Sequence, residues 1–396
     1  MKIVIHEWNS GTAGGVTEVI SNLINHWPNN NDEFVIVHND GHPGLEHFKS
    51  SIKRSNIDFI STSSTKGTLS SLMRKLFFPI WFFILYLRTN AALKKIKDSD
   101  VLMVHNGTYP GAYESLAMMF AAKRLGIKKR VLVVHHGAIH GRMLKLPFEK
   151  YINYAIQNSW ATDIVCVSRA TRKTMIDYRN FDPYIKPIRV IHNGVDFNVN
   201  IESKQQYIFH EKYNINRECN LVGIIGRVER YKGHEDLILA LDELPTLLKK
   251  NFHIIVIGSG LEKEILRLKD IAKYIGVEKQ IHFTGYLEGE MRDWIKQLNL
   301  VAMLTKDFEG FGLTILEAMS VGVPVIATTV GAVTEFVNKN NGWLVPPESP
   351  ESIADILAHY NSFQEQFIEI ARNTKKDMKK FDAKIMAYRY HRLVNL

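Results

Sequence analysis

The stretch Glu309-Gly-Phe-Gly-Leu-Thr-Ile-Leu-Glu317, which runs on into Ala-Met-Ser-Val-Gly-Val-Pro-Val325, decides how this chain is read. An apolar run near 300–304 precedes it, so the pattern is strand, loop, helix, with Glu309 in the loop and Glu317 about two turns into the helix. Two carboxylates so placed both face the crevice outside the C-terminal ends of the strands, where open α/β sheets bind ligands. The helix N-terminus between them offers unbonded N–H groups and the positive end of a dipole to an anion. A ligand that is part polyol and part phosphate suits the combination, because carboxylates accept from hydroxyls and amides hold phosphate oxygens. A nucleotide sugar is such a ligand. Two glutamates eight apart, taken alone, are better read as a solvated helix face, so the surrounding chain has to decide.

Upstream, Gly226-Arg-Val-Glu-Arg-Tyr-Lys-Gly233 follows the strand-like run 221–225 and opens a helix with an apolar face at Leu237, Leu241 and Leu244. Arg227 and Lys232, at the end of a strand and beside two glycines that let the backbone come close, suit a diphosphate. They are expected to meet Glu309 across one sheet edge. The whole chain keeps the same rhythm. Strands are expected near 2–6, 34–38, 57–60, 101–105, 130–135, 163–167 and 187–192, and again near 221–225, 253–257, 280–284, 300–304, 324–327 and 342–345, with helical stretches between most of them. Two such series imply two doubly wound parallel sheets, and 396 residues exceed what one core usually organises. A polar interval from Phe197 to Arg217 is the expected linker.

On these motifs the chain resembles the family 4 glycosyltransferases of GT-B architecture over nearly its whole length. The resemblance implies two Rossmann-like α/β domains with the active site in the cleft between them. It assigns 1–197 to an acceptor-binding domain, 198–378 to a nucleotide-sugar-binding domain, and 379–396 to a helix returning to the first. Arg227 and Lys232 match the family's diphosphate-binding pair. Glu309 and Glu317 match its glutamates, the first near the donor hexose and the second on the ribose. Gly310 and the amides of Phe311, Gly312 and Leu313 match the loop around sugar and phosphates, and Tyr286 and Leu287 match the region near the base. Gly14-Gly15-Val16, His136-Gly137, Val167-Ser-Arg-Ala-Thr171 and Asn193-Gly-Val-Asp196 match further landmarks.

Several of these also have a reading of their own. The run Gly11-Thr-Ala-Gly-Gly15 is a glycine turn between the first strand and a helix from about Val16. It lacks the G-x-G-x-x-G dinucleotide pattern, yet its amides suit phosphate; a tight turn needing glycine is the plainer reading, and the resemblance sets donor binding by Gly14 and Gly15 above it. His135 and His136 end a strand. His136 is favoured for the donor sugar because it directly precedes the glycine, and His140 and Arg142 in the following loop are weaker acceptor candidates. Ser168 reads as a helix cap rather than a nucleophile. Asp98-Ser-Asp100 imitates a metal-binding D-x-D but precedes a strand, at the edge of a parallel sheet away from ligands, so no metal is expected. The departing diphosphate must then be stabilised by Arg227, Lys232 and helix N-termini. Cys166 and Cys219 lack metal or disulfide spacing and are expected to be core thiols.

The composition is that of an ordinary globular protein, 45% apolar, with a net charge of +9. Nine Lys/Arg against Asp58 alone lie between Lys53 and Lys97, a local balance of +8. Inside that block sits the apolar run 76–87, too short to span a bilayer. It reads either as an element buried on every side or, with basic flanks at Arg74, Lys75 and Arg88, as a contact with an anionic membrane surface. No signal peptide or spanning segment is seen, so the expected location is the cytoplasm, peripheral to the inner face of the cytoplasmic membrane. The basic residues surround an apolar run rather than a polar groove, and no zinc-finger or RNP-like pattern is present, which argues against nucleic acid.

The resemblance therefore implies a retaining, metal-independent transfer of a hexosyl-type sugar from a nucleoside-diphosphate sugar to an acceptor hydroxyl. The acceptor is expected to be a lipid-linked saccharide of surface polysaccharide or glycolipid assembly. The alternatives are another GT-B activity, such as phosphorolysis or sugar-nucleotide epimerisation, and a non-catalytic nucleotide-sugar-binding membrane scaffold. The base, the sugar and the oligomeric state are not legible.

Overall fold

A computed structural model describes residues 1–8, 14–42, 44–62, 77–140, 146–197 and 207–396. The chain forms two compact units, Met1–Gly194 with Ala383–Leu396, and Val195–Asp382.

The first unit is built on seven parallel strands: β1 (Lys2–Glu7), β2 (Glu33–Asn39), β3 (Ile57–Thr62), β4 (Val101–Thr108), β5 (Lys129–His136), β6 (Asp163–Cys166) and β7 (Ile188–Val190). Their order is β3-β2-β1-β4-β5-β6-β7, with Val4 of β1 in register with Val35 on one side and Leu102 on the other. Ile3, Val4 and Ile5 are fully buried, as are Leu102, Met103 and Val104. Helices cover both faces of such a sheet, so its strands carry unbroken apolar runs instead of alternation. The strand order turns back between β1 and β4, which opens a crevice at their C-terminal ends. The final helix, Ala383–Val394, belongs to this unit: His391 packs on Trp27 at 5.4 Å, and Met386 Sδ accepts from the Gly194 amide at 3.2 Å.

The second unit has six parallel strands, β8 (Asn220–Ile225), β9 (Phe252–Ile257), β10 (Ile281–Gly285), β11 (Leu300–Met303), β12 (Val325–Thr328) and β13 (Trp343–Val345), in the order β10-β9-β8-β11-β12-β13. Its order reverses between β8 and β11. Leu237 and Leu241 of the helix His234–Glu243 and Leu357 of the helix Pro350–Ser362 are buried in one core with Val222 and Ile254 of the sheet. Trp343 stacks on Phe367 at 3.7 Å to close the β13 side.

Three expectations need correction or limits. The run 76–87 is not covered on every side: from Phe77 on it forms the N-cap and first turns of the helix Phe78–Lys94, in which Trp81, Phe82 and Leu85 are buried while Phe77, Ile80, Phe83 and Leu87 are exposed. Its inward residues pack on Tyr113, Phe148 and Trp160, while the opposite face stays exposed. Cys219 is not a core thiol, since it is half-buried ahead of β8 with Sγ donating to the Lys250 carbonyl; Cys166 in β6 is buried, and burial pushes its thiol up to about 12. Residues 11–13 of the glycine turn, Arg74, Lys75, Leu76, Arg142 and the linker portion 198–206 lie outside the described residues.

Candidate active site

The loops after β8 and β11 flank the point where the second sheet's order reverses, and they carry opposite charges. After β8, Gly226 has φ +141°, and the chain runs through a single 3-10 turn, Arg230–Lys232, to Gly233, at φ +74°, before the helix His234–Glu243 begins. A Cβ on Gly233 would lie 2.1 Å from the Leu304 carbonyl oxygen, so only glycine lets this turn approach the end of β11 so closely. That approach delivers Lys232. Its Nζ donates to Glu309 Oε2 at 2.8 Å, both side chains being about four-fifths buried.

Glu309 is held from both ends. Thr305, fully buried at the end of β11, donates its hydroxyl to the same Oε2 at 3.2 Å, and the Glu309 carbonyl accepts from the Ala332 amide at 2.9 Å. Gly331, at φ +57°, lies under it; a Cβ there would come within 2.1 Å of the Glu309 carbonyl oxygen. No motif marks Thr305. Its only signal in the sequence is its place just past a strand, four residues before the glutamate.

Arg227 does not join this pair. Its guanidinium donates to Glu229 Oε1 at 2.9 Å and to the Tyr231 hydroxyl at 3.0 Å, half-exposed at the surface of the same loop. Tyr231 lies between the two cations, with Lys232 Nζ 5.2 Å from its ring centre, and burial pushes its phenol up to about 12. It is a site neighbour that no spacing signalled.

Beyond Glu309, Gly312 adopts φ +90° and caps the helix Leu313–Val321, with no side chain bonding the cap and no acidic residue in the first turn. The first amides of that helix therefore lack an internal partner. Phe311 turns its ring inward against Phe336 and Phe381, at 5.4 and 6.0 Å. Glu317 is half-buried on the helix. On the other side of β8, Tyr286 is exposed just past β10, and Leu287 follows it half-buried. The Gly258 amide donates to the Gly285 carbonyl at 2.9 Å, tying the loops after β9 and β10 together.

In the first unit, Gly14 caps the helix Gly15–Asn25 in extended conformation, again without a side-chain cap. Thr17 of its first turn donates to Glu7 Oε1 at 2.8 Å, so the carboxylate ending β1 lies beside the first turn of that helix. The two histidines ending β5 separate. His135 is buried with its Nε2 2.8 Å from His105 Nδ1, and burial holds it down to about 3; His136, next to Thr108 in register, is half-exposed. The loop that follows is pinned by Thr174, which accepts from the Ala138 amide at 2.8 Å, and by the Tyr109 carbonyl, which accepts from Ile139 at 2.9 Å. His140 is exposed with its ring 4.0 Å from that of Tyr178. Ser168 accepts from the Thr171 amide at 3.0 Å as the cap of the helix Arg169–Arg179. Asp100 accepts from the Lys2 amide at 2.8 Å. Among the described residues no group of three or more His, Cys, Asp or Glu is arranged to hold a metal ion.

Residues 205–377 match the family model "Glycosyl transferases group 1", and residues 13–199 match "Glycosyltransferase Family 4". The uncharacterized glycosyltransferase MJ1607 of Methanocaldococcus jannaschii is 28% identical over 222 residues, which are 54% of this chain and 55% of the relative. The lipopolysaccharide core biosynthesis mannosyltransferase LpsB of Rhizobium meliloti is 33% identical over 147 residues, 35% of this chain and 40% of that protein. The chain thus matches about half the length of these relatives. Among solved structures, Anabaena HepE, crystallised with UDP and glucose, superposes with a TM-score of 0.76 at 19% identity, covering 100% of this chain and 99% of that one. At that identity the likeness concerns the GT-B fold.

Proposed function

The chain belongs to the family 4 glycosyltransferases of GT-B fold, and we propose that it transfers a hexosyl sugar from a nucleoside-diphosphate donor to an acceptor hydroxyl with retention of anomeric configuration. The observation that carries this reading is the Lys232–Glu309 pair at the reversal of strand order, beside a helix N-terminus free of side-chain caps and acids. Cation and helix amides suit the diphosphate; the carboxylate suits sugar hydroxyls.

In this reading the anomeric C–O bond to the diphosphate breaks, an oxocarbenium-like sugar forms, and the acceptor oxygen bonds to the same face. The acceptor's proton passes to the departing phosphate oxygen. Lys232, Arg227 and the amides of Phe311, Gly312 and Leu313 take up the charge that grows on the diphosphate, work that needs no metal ion. Glu309 orients the hexose, Glu317 the ribose, and the backbone at Tyr286 and Leu287 the base. In the first unit, His136 and the amides at Gly14 and Gly15 serve the donor, and His140 the acceptor. The acceptor is a lipid-linked saccharide used at the cytoplasmic face of a membrane, a reading supported by the role in lipopolysaccharide core biosynthesis that the name of the Rhizobium relative states.

The test is a thermal-shift panel of UDP-, GDP-, ADP- and dTDP-sugars on the protein and its Lys232→Ala variant, with nucleotide release recorded alongside. A shift for one base that the variant loses is the expected result. No shift with any donor overturns the reading.

A further inference from the structure

We propose that the outward face of the helix Phe78–Lys94, together with the adjoining helix Leu146–Ala155, is a docking surface for an anionic lipid bilayer. The helix divides by face. Trp81 and Phe82 are 5% and 6% exposed, whereas Phe77, Ile80, Phe83 and Leu87 are 52%, 55%, 55% and 49% exposed. At 100° per residue these four fall on one side, and Arg88, Lys94 and Lys95, all exposed, continue the same side toward the C-terminal end. The surface is therefore apolar for its first turns and cationic for its last, over a length of about 25 Å.

The second helix widens it. Phe148 joins the two, with its ring 5.3 Å from Phe78 and 5.8 Å from Phe82, and its neighbours Tyr151 and Tyr154 are 61% and 65% exposed beside exposed Lys150. Four large apolar side chains exposed along one face of the helix Phe78–Lys94 are more than a surface meant only for water usually carries. Tyrosines suit the boundary of a bilayer, where one end of the ring is wet and the other dry.

Charge decides the occupant. The helix Phe78–Lys94 contains no acidic residue, and the one acid of the helix Leu146–Ala155, Glu149, is buried in an ion pair with Arg179 at 3.0 Å. A protein partner would be met by a rim of both signs. The exposed charges on these two helices, Arg88, Lys94 and Lys150, are of one sign, as a negatively charged sheet of headgroups requires, with apolar side chains set to enter the layer beneath. Each such basic residue multiplies affinity for an anionic surface by about five.

The apolar end lies at the sheet edge that carries the first unit's candidate residues. Phe78 packs 4.7 Å from Tyr113, the first residue of the helix that follows β4, so the exposed aromatics are level with the C-terminal edge of the first sheet. His136 and His140 leave the sheet at that edge. The inference rests on the transferase reading only for what the membrane would present there, a lipid-linked acceptor.

The experiment is sedimentation with vesicles of phosphatidylcholine alone and of phosphatidylcholine mixed with phosphatidylglycerol, at low and high salt. The full chain is compared with Ile80→Asp/Phe83→Asp and with Arg88→Glu/Lys94→Glu/Lys95→Glu. Expected are binding to the anionic vesicles only, weakened by salt, and loss of at least about tenfold in each variant. UDP-sugar binding and melting temperature, measured on the same samples, should be unchanged, which separates failure of docking from failure of the donor site or of folding. Absence of binding to anionic vesicles, or equal binding by the Ile80→Asp/Phe83→Asp variant, overturns the proposal. So does concentration-dependent self-association that this variant abolishes while vesicles remain unbound, because the face would then seat a second copy.

Discussion

Lys232 Nζ lies 2.8 Å from Glu309 Oε2, so the cation following β8 is neutralised by the carboxylate following β11. On the proposed reading, a diphosphate entering this site would compete with Glu309 for Lys232. Replacing Glu309 with Gln removes the competitor and keeps the shape. UDP or its counterpart should then bind several-fold more tightly in titration calorimetry, while turnover falls because the sugar loses its acceptor of hydroxyl hydrogen bonds. Weaker nucleotide binding in Glu309→Gln would show that the pair does not face the diphosphate.

Lys232→Ala should lower turnover by roughly 10²-fold or more, the usual cost of deleting one preorganised group that meets developing charge. The melting temperature should fall as well, because the pair is about four-fifths buried and Glu309 loses its cation, so turnover is compared on protein shown to be folded. Lys232→Arg, which keeps charge but changes geometry, should recover part of the rate. Steady-state kinetics with the donor found by the panel decide this, and unchanged turnover in Lys232→Ala removes the residue from the mechanism.

Gly331→Ala tests the backbone support of Glu309. The position has φ +57°, and its new methyl would start 2.1 Å from the Glu309 carbonyl oxygen. Strain and overlap should destabilise the second unit by about 1–3 kcal/mol and shift Glu309, with donor binding lost more steeply than heat stability. A variant with native melting temperature and native donor affinity would mean that the loop relaxes without moving the carboxylate.

Thr305→Val conserves volume and deletes the hydroxyl 3.2 Å from Glu309 Oε2. The expected loss is about 1 kcal/mol of loop stability and a several-fold fall in kcat with little change in nucleotide affinity. A fall in affinity alone would place Thr305 with the ligand rather than with Glu309.

Acid should unfold this protein early. Burial holds His6 and His135 down to about 3, and His234, His253 and His282 down to about 4. The unfolded chain takes up these protons near 6.5 and the folded chain does not, so stability is complete above pH 6.5 and is lost as pH falls toward 4. Melting temperatures read between neutrality and pH 4.5 should fall steadily; a flat profile would contradict the burial of these rings.

The β/α rhythm was legible because parallel strands buried on both faces are written as short apolar runs, as in Ile3-Val4-Ile5 and Ile254-Ile255-Val256. Ser168 as a helix cap was legible because capping is a contact between near neighbours. The exposed face of the run 77–87 was not, since apolar residues at every position of that run give no periodicity from which to pick the exposed side. Thr305 and Tyr231 were missed for a related reason: their importance lies in distance to Lys232 and Glu309, not in spacing along the chain.

By itself the sequence determined two α/β units, the strands of each sheet, and the residue types that end those strands, because burial and local turn chemistry act over a few residues. Only the tertiary structure decided that Lys232 and Glu309, 77 positions apart, share one hydrogen bond while Arg227 turns to Glu229. It also decided that His135 is locked to His105 while His136 stays half-exposed. Such pairings follow from strand order and from how closely a glycine lets two loops approach, and no stretch of chain shorter than the whole sheet contains that information.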